Sequence, residues 1–164
     1  MKIALTTDHA GFNDIEELKS FLSELGHEIE YFGPKQLIPG DDYPDYMFPA
    51  AKAVASGDCQ VGIILGGSGQ GEAMAANRVK GVRCAVFYGP HAPITAVDAE
   101  GDQVHDEYEI LRLTREHNLA NVLSLAGRFV SLGEMKRAIT VWLDTPLGDV
   151  ERHLRRIHKL DQDL

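Results

Sequence analysis

The sequence predicts an α/β fold, a doubly wound parallel sheet with helices on both faces. Short apolar runs alternate with amphipathic stretches along most of the 164 residues, which is the signature of repeated βαβ units. The clearest apolar run is followed at once by a glycine-rich turn and a helix, the usual hand-over at the carboxyl end of a parallel strand. A chain of this length, 44% apolar and 25% charged, buries a core without metal or disulfide staples. We therefore expect one domain over residues 1–164.

The elements follow in order. Ile3-Ala4-Leu5 is a first buried strand, and Ile15, Leu18, Leu22 and Leu25 then recur at helical spacing before the stop at Gly26. Glu28–Phe32 is a second strand. A Pro/Gly/Asp-rich loop from Gly33 to Pro44 leads to a helix near Tyr46–Ala55. Val61–Leu65 is a third strand, with a helix running through Ala76, and Val82–Phe87 is a fourth. Residues 88–107 break the rhythm: five acids (Asp98, Glu100, Asp102, Asp106, Glu107) stand there with no Lys or Arg. So long an excursion is more often functional than filler, and its His91 and His105 are expected to be exposed. The pattern resumes with a helix at Tyr108–Glu116, a fifth strand at Val122–Ala126, a helix at Leu132–Leu143 and a last helix from Val150.

The composition excludes several classes of function. Sixteen basic against 25 acidic residues give a formal net charge of −9, which argues against general binding to nucleic acid or anionic membranes. Cys59 and Cys84 are too few for a disulfide framework and lack metal-motif spacing; both read as buried thiols in a reducing compartment. No apolar run reaches the roughly 18 residues of a membrane span. The start Met1-Lys2-Ile3-Ala4-Leu5-Thr6-Thr7-Asp8 meets an acid too early for a signal-peptide core. We expect a cytoplasmic protein.

Ligands of such sheets bind at the carboxyl ends of the strands, and the strongest local signal falls there. Gly66-Gly67-Ser68-Gly69-Gln70-Gly71-Glu72 lets backbone N–H groups converge on an anion. The plain alternative is a tight strand-to-helix turn. The dinucleotide pattern G-x-G-x-x-G is not met, and a P-loop would carry Lys where Glu72 stands. Glu72 instead fits a base beside a carbon acid, with the amides holding the developing charge. Asp8-His9 follows the first strand at a second ligand-facing position; Asp8 or Asn13 could alternatively cap the first helix. His117-Asn118 precedes the fifth strand, and a histidine there suits proton transfer near neutral pH unless it is merely structural. In the last helix Arg152 and Arg156 stand one turn apart, on one face, matching a phosphate; a solvated basic helix is the alternative. Arg128, just past the fifth strand, is also placed for an anion.

Together these segments resemble the type B ribose-5-phosphate isomerase family, which includes allose- and galactose-6-phosphate isomerases. The resemblance rests on Asp8-His9-Ala10-Gly11, Asp42-Tyr43-Pro44, Gly66 to Glu72, Ala75-Ala76-Asn77-Arg78, Arg115-Glu116-His117-Asn118, Gly127-Arg128 and Arg152-His153-x-x-Arg156. It implies a Rossmann-like, five-stranded, three-layer α/β/α fold with a C-terminal helix. It also implies a homodimer or dimer of dimers with shared active sites. The reaction implied is aldose–ketose isomerisation of a sugar phosphate, ribose 5-phosphate above all, through a cis-enediolate, without metal or other cofactor. Many members carry a Cys base two residues before the loop serine; Gly66 stands there, and Glu72 matches the base of a second branch. By the same resemblance Asp8 contacts the reacting hydroxyls, while Ser68 with the amides of Gly67, Gly69 and Gly71 holds the enediolate. His117 assists ring opening and Asn118 binds sugar oxygens. His9, Arg128, Arg152 and Arg156 bind the phosphate, and His153 lies between the two arginines of the last helix.

The departure from the family is the insert at about 88–107, expected to tune substrate choice or dimer packing and not to touch the phosphate. Against the isomerase stand a non-catalytic phosphosugar-binding regulator on the same fold, an isomerase of six-carbon phosphates, and a nucleotide-binding domain, which the missing fingerprints disfavour.

Overall fold

The structure is a computed structural model describing residues 1–98 and 100–162. Five parallel strands, β1 (Lys2–Thr7), β2 (Glu28–Tyr31), β3 (Val61–Gly66), β4 (Cys84–Phe87) and β5 (Val122–Ala126), form one sheet in the order β2-β1-β3-β5-β4. Among the described residues six helices connect or follow them: α1 (Ile15–Glu24), α2 (Pro44–Ser56), α3 (Gln70–Ala76), α4 (Glu109–Glu116), α5 (Leu132–Asp144) and α6 (Glu151–Leu160). The α/β fold expected from the sequence is the one observed.

Alternation of side chains along each strand divides the core in two. Ile3, Leu5, Ile63 and Leu65 face one side with Ile15, Leu18, Leu22, Leu111, Met135 and Trp142 from α1, α4 and α5. Ala4 and Ile64 face the other side with Met47, Ala50, Val54 and Ala75 from α2 and α3. The second face is alanine-rich, so its helices sit close to the sheet.

Local chemistry sets several boundaries. Pro44 opens α2, where its missing N–H costs nothing. Ser131 caps α5 and Glu134 returns the bond, completing a capping box. Gly26 takes φ +81 after α1 as the expected stop. Leu25, read as part of the buried face, is 44% exposed and lies beyond the helix, because α1 ends one residue sooner than its apolar spacing. Neither Asp8 nor Asn13 caps α1; Asp14 holds that position with no side-chain bond. The fourth strand begins at Cys84, two residues later than read, because Val82 closes a turn onto Val79. Cys59 is buried as expected, whereas Cys84 is only half-buried, and both are free thiols. Among the described residues no helix is long and apolar enough to cross a membrane.

The end of β1 is locked to β3 by the Thr7 hydroxyl, which donates to the Leu65 carbonyl at 2.7 Å. Gly11 packs into the same corner, where a Cβ would overlap Leu65 and Thr7. Gly11→Ala should therefore destabilise the protein by about 1–3 kcal/mol through overpacking. Urea denaturation checks it; an unchanged midpoint would show that this corner has slack.

Candidate active site

The carboxyl ends of β1, β3 and β5 bring together Asp8, His9, the 66–72 loop and Arg128. Asp8 is 4% exposed, and its Oδ1 accepts the Ala10 N–H at 2.9 Å, an Asx turn that shapes the loop after β1. His9 lies against Asp41: Oδ1 accepts its backbone N–H at 3.1 Å and meets ring Nδ1 at 2.7 Å. Asp8, His9 and Asp41 offer ligand atoms within 4.8 Å of one another. Asp41 Oδ1 serves two N–H groups of His9, so the shortest contact of this cluster is a carboxylate holding an imidazole.

The glycine loop is fixed through its carbonyls. Gly127 N–H donates to Gly66 O at 2.8 Å, Arg128 N–H to Gly67 O at 3.1 Å, and the Ser124 hydroxyl to Gly69 O at 2.8 Å. In a trans peptide the N–H points opposite to the carbonyl. The amides of Gly67 and Ser68 therefore face away from β5. Gly69 adopts φ +73, a left-handed turn that glycine takes without strain. Ser68 is exposed at the loop tip, its hydroxyl meeting the Gln70 N–H at 3.3 Å. A Cβ on Gly67 would lie 3.2 Å from Arg128 Cζ, so the guanidinium borders the loop. Gly71 is packed by Tyr43, whose ring would stand 2.9 Å from a Cβ there.

Glu72 completes this group from the first turn of α3. It is 5% exposed, and its Oε2 is buried with no hydrogen-bond partner. Its carboxyl lies against Gly66, where a Cβ would overlap it. The missing side chain at 66 thus makes the room that the carboxylate fills. Burial and the neighbouring Glu72 push the Cys84 thiol up to about 12, which keeps it protonated and unfit as a base.

A second group forms around α6. The His117 and His153 rings meet edge to face with centroids 4.0 Å apart. His153 Nε2 accepts from Arg152 Nε at 2.9 Å, and Nδ1 is buried without a partner. Asn118 and Arg156 are exposed. Arg152 is also gripped from the insert: its two terminal nitrogens reach the Glu100 carboxylate at 3.2 and 3.3 Å. The insert's acids are therefore not all without basic partners, since Asp106 also meets Arg112 at 2.8 Å. His91 and His105 are exposed.

The two groups leave the sheet at opposite ends. Asp8, Glu72 and Arg128 follow strands, whereas His117 follows α4, which returns the chain to the start of β5. At about 3.3 Å per residue, the five residues of β5 alone separate the two ends by about 16 Å.

The profile of the family described as Ribose/Galactose Isomerase matches residues 3–104 and 98–160. The chain belongs to this family. Ribose-5-phosphate isomerase B of Mycobacterium tuberculosis is 32% identical over 157 residues, covering 96% of this chain and 86% of that protein. The solved structure of ribose-5-phosphate isomerase B from Clostridium thermocellum matches with a TM-score of 0.83 at 34% identity, covering 98% of this chain and 95% of that one. The Mycoplasma genitalium enzyme of the same name, with bound ribulose-5-phosphate, matches at 0.82 and 30%, covering 98% and 93%. The family resemblance read from the sequence motifs holds over nearly the whole chain.

Within this ribose/galactose isomerase, sequence reasoning assigned no role to Asp41, Tyr43, Ser124 or Glu100. Only the Asp42-Tyr43-Pro44 marker pointed at that loop, and it carried no stated chemistry.

The histidine pair makes a pH prediction. Burial, then the charges of His117, Arg152 and Arg156, hold His153 below the ordinary histidine value of 6.5. A neutral ring is also what lets Nε2 accept from Arg152. Protonation favours the unfolded chain, so this contribution is full above about pH 6.5 and lost as pH falls through the lowered folded value. The melting temperature should drop between about pH 7 and 5 more steeply in the parent than in His153→Gln. Parallel curves for the two proteins would refute it.

Proposed function

We propose that the protein interconverts ribose 5-phosphate and ribulose 5-phosphate, with Glu72 as the base. One observation carries the reading: a buried carboxylate, unpaired at Oε2, lies beside the amides of a glycine loop, in space opened by Gly66. A buried carboxylate oxygen without a partner is costly, and a binding module gains nothing from one. An enolising enzyme needs it. Glu72 would take the C2 proton of the open-chain aldose and return it to C1. As O2 gives its proton to O1, the loop amides and Ser68 would hold the enediolate oxygens, and Asp8 would contact both hydroxyls.

The separation of the two groups along β5 supports a shared site. Asp8, His9, the loop, Glu72 and Arg128 of one copy would meet the partner's His117, Asn118, Arg152 and Arg156. In that arrangement His117 assists ring opening, Asn118 binds sugar oxygens, and His9 with the three arginines binds the phosphate. Met74, Tyr88 and Phe129, apolar and 44–65% exposed, give the first group's rim a surface suited to such a partner.

Glu72→Gln keeps the shape and removes the basic oxygen, so kcat should fall about 10²–10⁴-fold with KM little changed. The assay is coupled ribulose formation, run with chelator present. Near-normal turnover would overturn the assignment; substrate binding with no turnover even in the parent would return the phosphosugar-binding regulator. Replacing Cys84 should leave the rate intact.

Mixing two inactive variants tests the sharing. In a Glu72→Gln and His117→Ala mixture, each heterodimer has one intact site. Activity should recover toward about a quarter of the parent after subunit exchange. No recovery in a mixture shown to exchange would place both groups of one site in one chain.

The insert enters through Glu100, whose carboxylate sits on the Arg152 fork that a phosphate would use. The pair is 38% and 59% exposed, so its strength is within about 1 kcal/mol. Glu100→Gln should lower KM by about two- to fivefold without moving kcat. A raised KM would instead make Glu100 a support for Arg152. Comparing five- with six-carbon phosphates in the same variant reads any effect on substrate length.

A further inference from the structure

His9 owes its orientation to a residue from a distant part of the chain. Asp41 lies in the loop between β2 and α2, and its side chain is 5% exposed. Its Oδ1 accepts the His9 backbone N–H at 3.1 Å and faces ring Nδ1 at 2.7 Å. Oδ2 is buried with no partner. A carboxylate has no hydrogen to give, so the proton of this contact sits on Nδ1. The ring atom left for a ligand is Nε2, on an imidazole 33% exposed.

We propose that Asp41 is a positioning residue for anion binding, fixing the His9 ring and its Nδ1 proton so that Nε2 meets the substrate phosphate. The proposal rests on the phosphate role of His9 given above. A ring that gives Nδ1–H to the buried carboxylate meets a phosphate through Nε2–H once that nitrogen also carries a proton, and the carboxylate–histidine pair does the orienting that it does in metal sites. The charged and titratable groups around the ring agree with this. Asp8 Oδ2 stands 3.8 Å from the same Nδ1. Tyr46, raised by burial and by the charge of Asp41, keeps its proton and adds no competing anion. Arg128 borders Gly67, which Ala10 also flanks, and brings a guanidinium to the same rim.

Asp41 was not singled out in the sequence because its partner is 32 residues away. An acid in a Pro/Gly/Asp-rich loop reads as turn chemistry. Only the fold shows that it is buried under a histidine.

The test uses full-length parent, Asp41→Asn, Asp41→Ala and His9→Ala, with inorganic phosphate and ribose 5-phosphate as probes. Nitrogen NMR of the parent should show His9 protonated at Nδ1, with Nε2 shifting as inorganic phosphate is added. In Asp41→Asn the side-chain amide can donate to Nδ1, so the tautomer should reverse or the ring become mobile. The phosphate Kd and the KM should each rise about tenfold, the loss of one charge-assisted hydrogen bond, while kcat stays within about threefold. Removing Asp41 as well as His9 should weaken phosphate no further than removing His9 alone. A parent ring that carries no Nδ1 proton or ignores phosphate overturns the proposal, whether or not any variant folds. So does an Asp41→Asn protein with parental phosphate affinity, or one in which kcat falls and KM does not. The ring signal and the phosphate titration do not need turnover. If the parent isomerises no sugar phosphate, the functional reading fails while Asp41 is still tested.

Discussion

The organisation of the molecule depends on the polarity of its sheet. All five strands run the same way, so each loop that leaves a strand emerges at one end and each loop that leaves a helix returns at the other. Asp8, the glycine loop with Glu72, and Arg128 share the first end for that reason alone. His117 and Asn118, which follow α4, belong to the second. Polar chemistry that falls partly after strands and partly after a helix is thus divided between the two ends of one copy. That division is the observation behind the shared site proposed above.

Within the first end the fine geometry comes from absent side chains. The loop carbonyls are tied to Gly127, Arg128 and Ser124, and this leaves the amides of Gly67 and Ser68 turned outward. The Glu72 carboxyl takes the volume that any side chain at 66 would fill. A side chain at 66 and the Glu72 carboxyl therefore exclude each other sterically. Cys84, a thiol near this region, is held protonated by burial and by Glu72, so the carboxylate has no rival among its neighbours.

Most of this was legible before the structure because it is local. Strand and helix periods placed every element, and an Asp after the first strand or a glycine run after the third needs no long-range knowledge. The errors came where local signals compete: Asp8 and Asn13 both looked like caps, yet Asp8 turned back to Ala10 and Asp14 stood at the helix start. Leu25 carried the right spacing but fell outside the helix. Asp41, Tyr43, Ser124 and Glu100 were invisible for a different reason. Each acts on a residue at least 28 positions away, on another element, and no periodicity records such a pairing.

The insert shows how those long-range contacts change the meaning of composition. Five acids without Lys or Arg in the segment read as a loop that tunes substrate choice or dimer packing. In the fold, Glu100 lies on Arg152 and Asp106 on Arg112, so two of the five are spent on basic partners in later helices. That matters because α6 holds Arg152, Arg155, Arg156 and Lys159 in a chain of net charge −9. Where acids are in excess, a basic helix will be paired by whatever carboxylate reaches it first. An exposed carboxylate on the Arg152 fork holds the guanidinium in a phosphate-like geometry but binds it weakly, being screened by solvent. A phosphate dianion, with more charge and three acceptor oxygens, is the stronger partner for such a fork. The acidic insert is then compatible with the proposed phosphate role of Arg152, because its grip on that residue is exposed and replaceable.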